Sequence, residues 1–128
     1  MGDVASLSLG SGGTQALSLD AGPEHAGMAY QILGSLNGTS PGIALGGLVI
    51  PLNFDLRYFL LTATAPQQTS LVNPIGVLDG EGRAEAGFVL PAGAPPALAG
   101  LGLDHAFIVL DGQGVVFASN PVRVEFTP

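Results

Sequence analysis

A chain of 128 residues with ten acidic side chains, three arginines and no lysine carries a formal net charge of −7. Clustered cations are needed to displace counterions from phosphates, so this charge balance excludes a nucleic-acid partner and disfavours an anionic membrane surface. Hydrophobic residues make up 47% of the chain. No apolar run approaches the ~20 residues of a membrane-spanning helix, which predicts no membrane insertion.

The length fits one domain covering residues 1–128, and a chain of this size buries a core without a disulfide or a structural metal. Cysteine is absent, which leaves the redox compartment open. The start, Met1-Gly2-Asp3, has no basic region and no apolar stretch, so no signal peptide is predicted in this sequence. Only 10% of residues are charged, against about 25% in an ordinary domain. The apolar excess is expected either at an exposed contact site or balanced by uncharged polar residues.

Most of the chain shows the pattern of short β-strands. Twenty glycines and ten prolines are spread along the length and rule out long helices. Between these breaks, apolar and polar residues alternate, which indicates antiparallel strands with one solvated face. The apolar positions of the alternating runs are Ala5, Leu7 and Leu9; Leu17 and Leu19; Met28, Tyr30 and Ile32; and Val122, Val124 and Phe126.

Two segments in the middle of the chain are less regular. Residues 53–61 are rich in aromatic and apolar side chains, for which we expect a strand; one or two helical turns capped by Asn53 are the alternative. Residues 91–100, rich in proline, alanine and glycine, are predicted to cross between strands with one helical turn around 96–99.

A short internal echo predicts two hairpins. The sequence Asp-Gly-x-Gly begins at Asp79 and again at Asp111, in both cases between apolar runs, and these residues tolerate the positive φ of tight turns. The predicted pairs are 75–78 with 83–90, and 104–110 with 115–118 or 122–126. Run 104–110 is apolar on both faces, so it is expected to be central and covered or to lie at an interface. Breaks every ten residues or so predict an all-β fold, an antiparallel β-sandwich of Ig-like or jelly-roll-like type with eight to ten short strands.

No arrangement of residues in the sequence predicts catalysis. The nearest approach to a nucleophile elbow, residues 34–38, has the wrong spacing. His25 and His105 could each act as a base with Asp20 or Asp104 as orienting group, but a loop histidine at 25 and a packed, hydrogen-bonded histidine at 105 fit the pattern better. We therefore predict that the protein is not an enzyme and has no catalytic residues.

The carboxylates do not form a metal-binding pattern either. Asp79, Glu81 and Asp111 lie in glycine-rich turns, but each turn offers only one or two carboxylates where a calcium ion needs about six or seven ligands. Glu85 and Glu125 occupy outward positions of alternating strands, where a charge simply faces water. The glycine-rich segments lack the lysine of a phosphate-binding loop. No metal and no cofactor are predicted.

A binding role would use aromatic side chains. Tyr30, Phe54, Tyr58 and Phe59 are the aromatics that an exposed sheet face or rim could present to a sugar ring or a protein, although packing in the core is their default role. Tryptophan, the usual platform for sugars, is absent. The candidate contact residues are Tyr30, Asn53, Asp55 and Tyr58.

Several stretches, in order along nearly the whole chain, resemble a recurring C-terminal module of large secreted bacterial proteins, whose upstream parts are often propeller-like or repeat-rich. The stretches are Leu19–Pro23 with His25–Gly27, Leu33–Gly42, Pro51–Asn53, Leu103–Phe107 and Phe117–Val122. The resemblance implies an extracellular or cell-surface setting at the end of a longer polypeptide. It implies no catalytic residue.

Three functional hypotheses follow. The first is a non-catalytic accessory or structural module that anchors, sorts or assembles a secreted protein, with its parent chain as partner. The second is a structural subunit that self-associates through its apolar surface or a strand edge. The third is a sandwich that binds carbohydrate or peptide through Tyr30, Tyr58 and the corner at Asn53 and Asp55.

Overall fold

The computed structural model describes residues 1–128 and consists mainly of β-strands. The strands are β1 (Ser6–Ser8), β2 (Gly13–Asp20), β3 (Ala29–Ser35), β4 (Ile43–Leu45), β5 (Leu48–Ile50), β6 (Leu71–Val72), β7 (Ile75–Val77), β8 (Arg83–Leu90), β9 (Gly102–Asp111), β10 (Gly114–Ala118) and β11 (Val122–Thr127). One α-helix, α1 (Tyr58–Thr64), follows β5, and single 3₁₀ turns occupy Pro23–His25, Pro66–Gln68 and Pro96–Leu98. The mostly β fold is confirmed, with eleven strands where eight to ten were predicted.

The strands form two main sheets and one separate hairpin. The larger sheet has the order β1-β11-β9-β3-β7, with β10 also paired to β9, and the smaller one has the order β2-β8-β6. Strands β4 and β5 pair only with each other. All pairs are antiparallel except β1 with β11, which run parallel. The prediction of purely antiparallel sheets is therefore wrong at this edge.

One of the two predicted hairpins is wrong. The turn at Asp79 forms, with Asp79 Oδ1 accepting the N–H groups of Glu81 and Arg83. However, β7 pairs with β3 and β8 pairs with β2, so the turn connects the two sheets. The turn at Asp111 does close a hairpin, since β10 pairs with the second half of β9 while β11 pairs with the first half. Both predicted pairing partners of run 104–110, residues 115–118 and 122–126, are therefore confirmed.

The main core lies where side chains of the two sheets meet. Its buried members include Leu17, Leu19 and Phe88 of the smaller sheet and Ile32, Phe107, Val109 and Val124 of the larger one. A second cluster, on the other face of β3 and β9, joins Leu33, Ala106 and Ile108 to Ile50, Leu52 and Phe59. Strand β9 is therefore buried on both faces, which confirms that its apolar run is central and covered.

The segment 53–61 is helical from Tyr58 onward, so the prediction of a strand there is wrong. The helical alternative is right in kind, but the polar side chain at the helix start is Asp55 and not Asn53. The predicted helical turn in 91–100 is confirmed at Pro96–Leu98. None of the helices has the length and hydropathy of a membrane-spanning segment.

Candidate binding site at the corner of residues 53–61

Asp55 holds the chain where it turns from β5 into α1. The residue is only 8% exposed. Its carboxylate accepts four backbone N–H groups, from Leu36 at 2.9 Å, Arg57 at 2.9 Å, Tyr58 at 2.6 Å and Phe59 at 3.3 Å. Burial alone would raise the pKa of Asp55, but these four hydrogen bonds outweigh it and lower the pKa below its ordinary value. Asp55 therefore positions the corner and has no free oxygen directed at a ligand.

Asn53 has a similar structural role. Its Oδ1 accepts the N–H of Gly42 at 2.9 Å, and its Nδ2 donates to the carbonyl oxygens of Asn37 and Ser40, both at 2.8 Å. The Ser35 hydroxyl donates to the Asn53 carbonyl at 2.6 Å. The amide of Asn53 thus ties the corner to the loop after β3, and its hydrogen-bonding groups are used within the protein.

Tyr58 turns inward from the first position of α1. Its hydroxyl lies 2.5 Å from His105 Nε2, and its ring covers Gly34, where an added Cβ would collide with the ring. His105 is fully buried, with Phe88 5.4 Å away between ring centroids, and its Nδ1 has no hydrogen-bond partner. Burial lowers the pKa of His105 to about 4. Burial, and secondarily the Asp55 charge, raises the pKa of Tyr58.

Tyr30 lies apart from the other three candidates. It is buried in the main core, and its hydroxyl donates to the Asn73 carbonyl at 2.9 Å. The structure therefore brings Asn53, Asp55 and Tyr58 together at the corner and leaves Tyr30 on the inner face of β3. All four direct their polar atoms to partners inside the protein.

The corner displays apolar side chains instead. Phe54 is 50% exposed, Leu56 75%, Leu60 40% and Leu61 36%; we call these four residues the apolar strip. Twelve large apolar side chains are exposed in the whole chain, and a third of them fall within the eight positions 54–61. Such a concentration is typical of a contact surface, whereas single exposed apolar residues need no explanation.

A shallow depression adjoins the apolar strip. It has a volume of about 490 Å³ and is lined by Leu36, Asn37, Phe54, Asp55, Leu56 and Arg57. The Phe54 ring packs against the buried Phe59 ring, with centroids 5.6 Å apart, which limits its movement. The depression thus places the Arg57 side chain among the apolar side chains of Leu36, Phe54 and Leu56.

Sequence reasoning missed Leu56, Arg57, Leu60 and Leu61 as candidate contacts. One available signal was periodicity: in a helix starting near 58, Phe59 and Thr62 lie on one face, so Leu60 and Leu61 face elsewhere. Apolar residues outside the face that packs on the core are exposed, and several exposed together indicate a contact surface.

His25 and Asp111 also occupy structural positions. His25 Nδ1 lies 2.9 Å from the Ala21 carbonyl oxygen, and Asp111 Oδ1 accepts the N–H groups of Gln113 and Gly114 in its own turn. No three side chains of the histidine, cysteine, aspartate and glutamate types cluster as metal ligands.

Of the known proteins compared with this chain, one solved structure is similar. No family model and no curated protein matches the chain. Among solved structures, the crystal structure of the Pseudomonas aeruginosa CupB2 chaperone is similar, with 12% sequence identity and a TM-score of 0.46, over 100% of this chain and 55% of the chaperone chain. The chain thus spans about half the length of that chaperone. A likeness at this identity and score supports no inference about function.

Proposed function

We propose that this protein is a non-catalytic binding module that docks an apolar polypeptide segment on the apolar strip. The observation that carries the proposal is the display of Phe54, Leu56, Leu60 and Leu61 on a corner whose backbone is held by Asp55 and Asn53. A surface ordered before binding loses less conformational entropy when a partner arrives, so its apolar contacts contribute more to affinity.

The size of the strip favours a tethered partner. Covering four side chains that are already partly covered contributes roughly 1–2 kcal/mol each, while association costs roughly 4–15 kcal/mol of translational and rotational freedom. A free peptide would therefore bind weakly. A segment of the same polypeptide or assembly, at high effective concentration, would bind well. The gain from a high effective concentration supports the parent chain as partner.

The setting and the finer architecture belong to the same proposal. The resemblance of the quoted motifs to a C-terminal module supports a secreted or cell-surface protein. The shared core of the two sheets supports an Ig-like β-sandwich. The non-catalytic role is supported by His105, sealed in the core, and by Asp79 and Asp111, whose carboxylates bind their own turns.

Self-association is a second candidate, favoured by the edge strand β7. Tyr30 of β3 is paired with Gly76 of β7. On either side of this pair, the N–H of Ile32 donates to the Pro74 carbonyl and the N–H of Leu78 donates to the Met28 carbonyl. In this register Ile75 and Val77 direct their N–H and C=O groups away from β3, and both side chains are exposed. A second copy could pair there.

Carbohydrate binding is less well supported, since Phe54 is the one exposed aromatic residue.

A selection from a random-peptide library tests the proposal. Peptides that bind the wild-type protein are expected to be apolar and to lose binding to Leu56→Ser. They should retain binding to Val49→Ser, which replaces a comparably exposed apolar residue on β5. Selected peptides that bind Leu56→Ser as well as wild type would refute docking on the strip. For the second candidate, a concentration-independent dimer that Val77→Lys dissociates would favour self-association.

A further inference from the structure

Two of the three arginines form ion pairs with carboxylates, and the third does not. Arg83 pairs with Asp20 and Glu81, each at 3.2 Å, and Arg123 pairs with Asp104 at 2.8 Å and Glu125 at 3.1 Å. Arg57 is exposed and takes part in no ion pair, although the chain has ten acidic residues. The carboxylate nearest in sequence, Asp55, is turned inward to backbone N–H groups.

The unpaired guanidinium stands within the apolar surface. Arg57 lines the depression together with Phe54 and Leu56, and in the helical backbone it lies one turn before Leu61. An apolar segment that covered this surface would remove water from the guanidinium. If the segment had no acceptor, the charge would be left desolvated and unpaired, which opposes docking.

We propose that the segment docked on the apolar strip carries a carboxylate that pairs with Arg57, an inference that rests on the proposed function. The planar guanidinium donates two parallel hydrogen bonds to a carboxylate, so the acceptor fixes the register of the segment as well as neutralising the charge. The partner chemistry is thus a run of apolar residues interrupted by one acidic group.

The number of acidic groups follows from the charge of the whole chain. At a net charge of −7, the protein repels strongly acidic partners at long range, so a run of carboxylates would be disfavoured. A single carboxylate loses little to this field and gains the close pair with Arg57. The acidic group is an aspartate or glutamate side chain or a C-terminal carboxylate, which differ in position but share the same chemistry.

The test uses blocked Leu- and Phe-rich hexapeptides that are identical except for aspartate or asparagine at one central position. A third peptide carries asparagine and a free C-terminal carboxylate. Binding is followed by fluorescence anisotropy with an uncharged dye. Wild type is expected to bind one of the two acidic peptides about threefold to tenfold more tightly than the neutral one. Which acidic peptide gains identifies the source of the carboxylate.

Two arginine variants with the same net charge separate the local pair from the overall field. Arg57→Gln is expected to bind acidic and neutral peptides equally, whereas Arg83→Gln, which removes a charge paired elsewhere, is expected to retain the preference. Raised salt should reduce the preference in wild type. If wild type binds all three peptides equally and Leu56→Ser weakens all of them, the pairing with Arg57 is refuted while docking on the strip stands. Because a free peptide is expected to bind weakly, the titration extends to roughly millimolar protein. If none of the peptides binds even there, both the pairing and the docking are refuted.

Discussion

Acid is expected to destabilise the fold through His105. Its pKa is about 4 in the folded protein, against an ordinary value of 6.5. Above pH 6.5 the imidazole is neutral in both states and the full stability is present. Between pH 6.5 and about 4 the unfolded chain binds a proton that the folded chain does not, so the free energy of unfolding falls as the pH falls. The loss is about 1.4 kcal/mol per pH unit, roughly 3 kcal/mol in all.

The environment of His105 explains this magnitude. The Nε2 atom of the imidazole lies against the Tyr58 hydroxyl. The other nitrogen, Nδ1, has no hydrogen-bond partner, so in the charged imidazole its N–H would have no acceptor. Phe88 packs against the ring. The ion pair of Asp104 with Arg123 involves the residue that precedes His105 in β9, and its side chain lies on the opposite face of the strand. A charged imidazole would therefore be buried among apolar groups without a counter-ion.

Urea denaturation at a series of pH values measures the effect. The double variant His105→Leu with Tyr58→Phe removes the titrating group without leaving the Tyr58 hydroxyl unpaired, and it is expected to lose the pH dependence between 6.5 and 4. Asp55 acts at lower pH: its lowered pKa gives stability that is present above the ordinary value of 3.8 and is lost as the pH falls further. Equal slopes for wild type and the double variant between pH 6.5 and 4 would refute the reasoning.

Substitutions at four positions give further predictions. Gly34→Ala places a Cβ against the Tyr58 ring and is expected to destabilise the protein by roughly 1–3 kcal/mol in the same urea assay. Asp55→Ala leaves four backbone N–H groups, one buried and three partly buried, without their acceptor and is expected to cost about 2 kcal/mol, with Asp55→Asn recovering part of it. Leu56→Ser and its control Val49→Ser should each change stability by less than about 0.5 kcal/mol, because both side chains are exposed. Loss of peptide binding by Leu56→Ser alone would then be a surface effect, and equal loss by Val49→Ser would contradict it.

The alternating strands could be predicted because a period of two places every second side chain on one face. Leu17 and Leu19 are buried as that pattern requires. Pairing could not be predicted in the same way. The turn at Asp79 is specified by local hydrogen bonds, but these do not select the partner of the strand that leaves the turn. The partner of β8 is β2, more than sixty residues earlier in the chain.

The corner illustrates the same division between local and distant information. The aromatic side chains of 53–61 favoured a strand by propensity, but Asp55 and the packing of Phe59 in the second core cluster stabilise a helix. Polar residues at the corner were recognisable in the sequence. The hydrogen bonds that these residues accept from inside the protein could not be predicted, because the N–H groups of Leu36 and Gly42 come from the loop after β3.

The inward polar groups and the outward leucines are two consequences of one arrangement. Helix α1 has seven residues, too few to be stable from its own hydrogen bonds. It is held by the Asp55 carboxylate at its start, by Phe59 in the core and by the Tyr58 hydroxyl at His105. With the backbone and the inner face so fixed, the outer positions Leu56, Leu60 and Leu61 remain 75%, 40% and 36% exposed, and polar residues there would improve solubility. Leucine at 56, 60 and 61 accords with the docking surface proposed above.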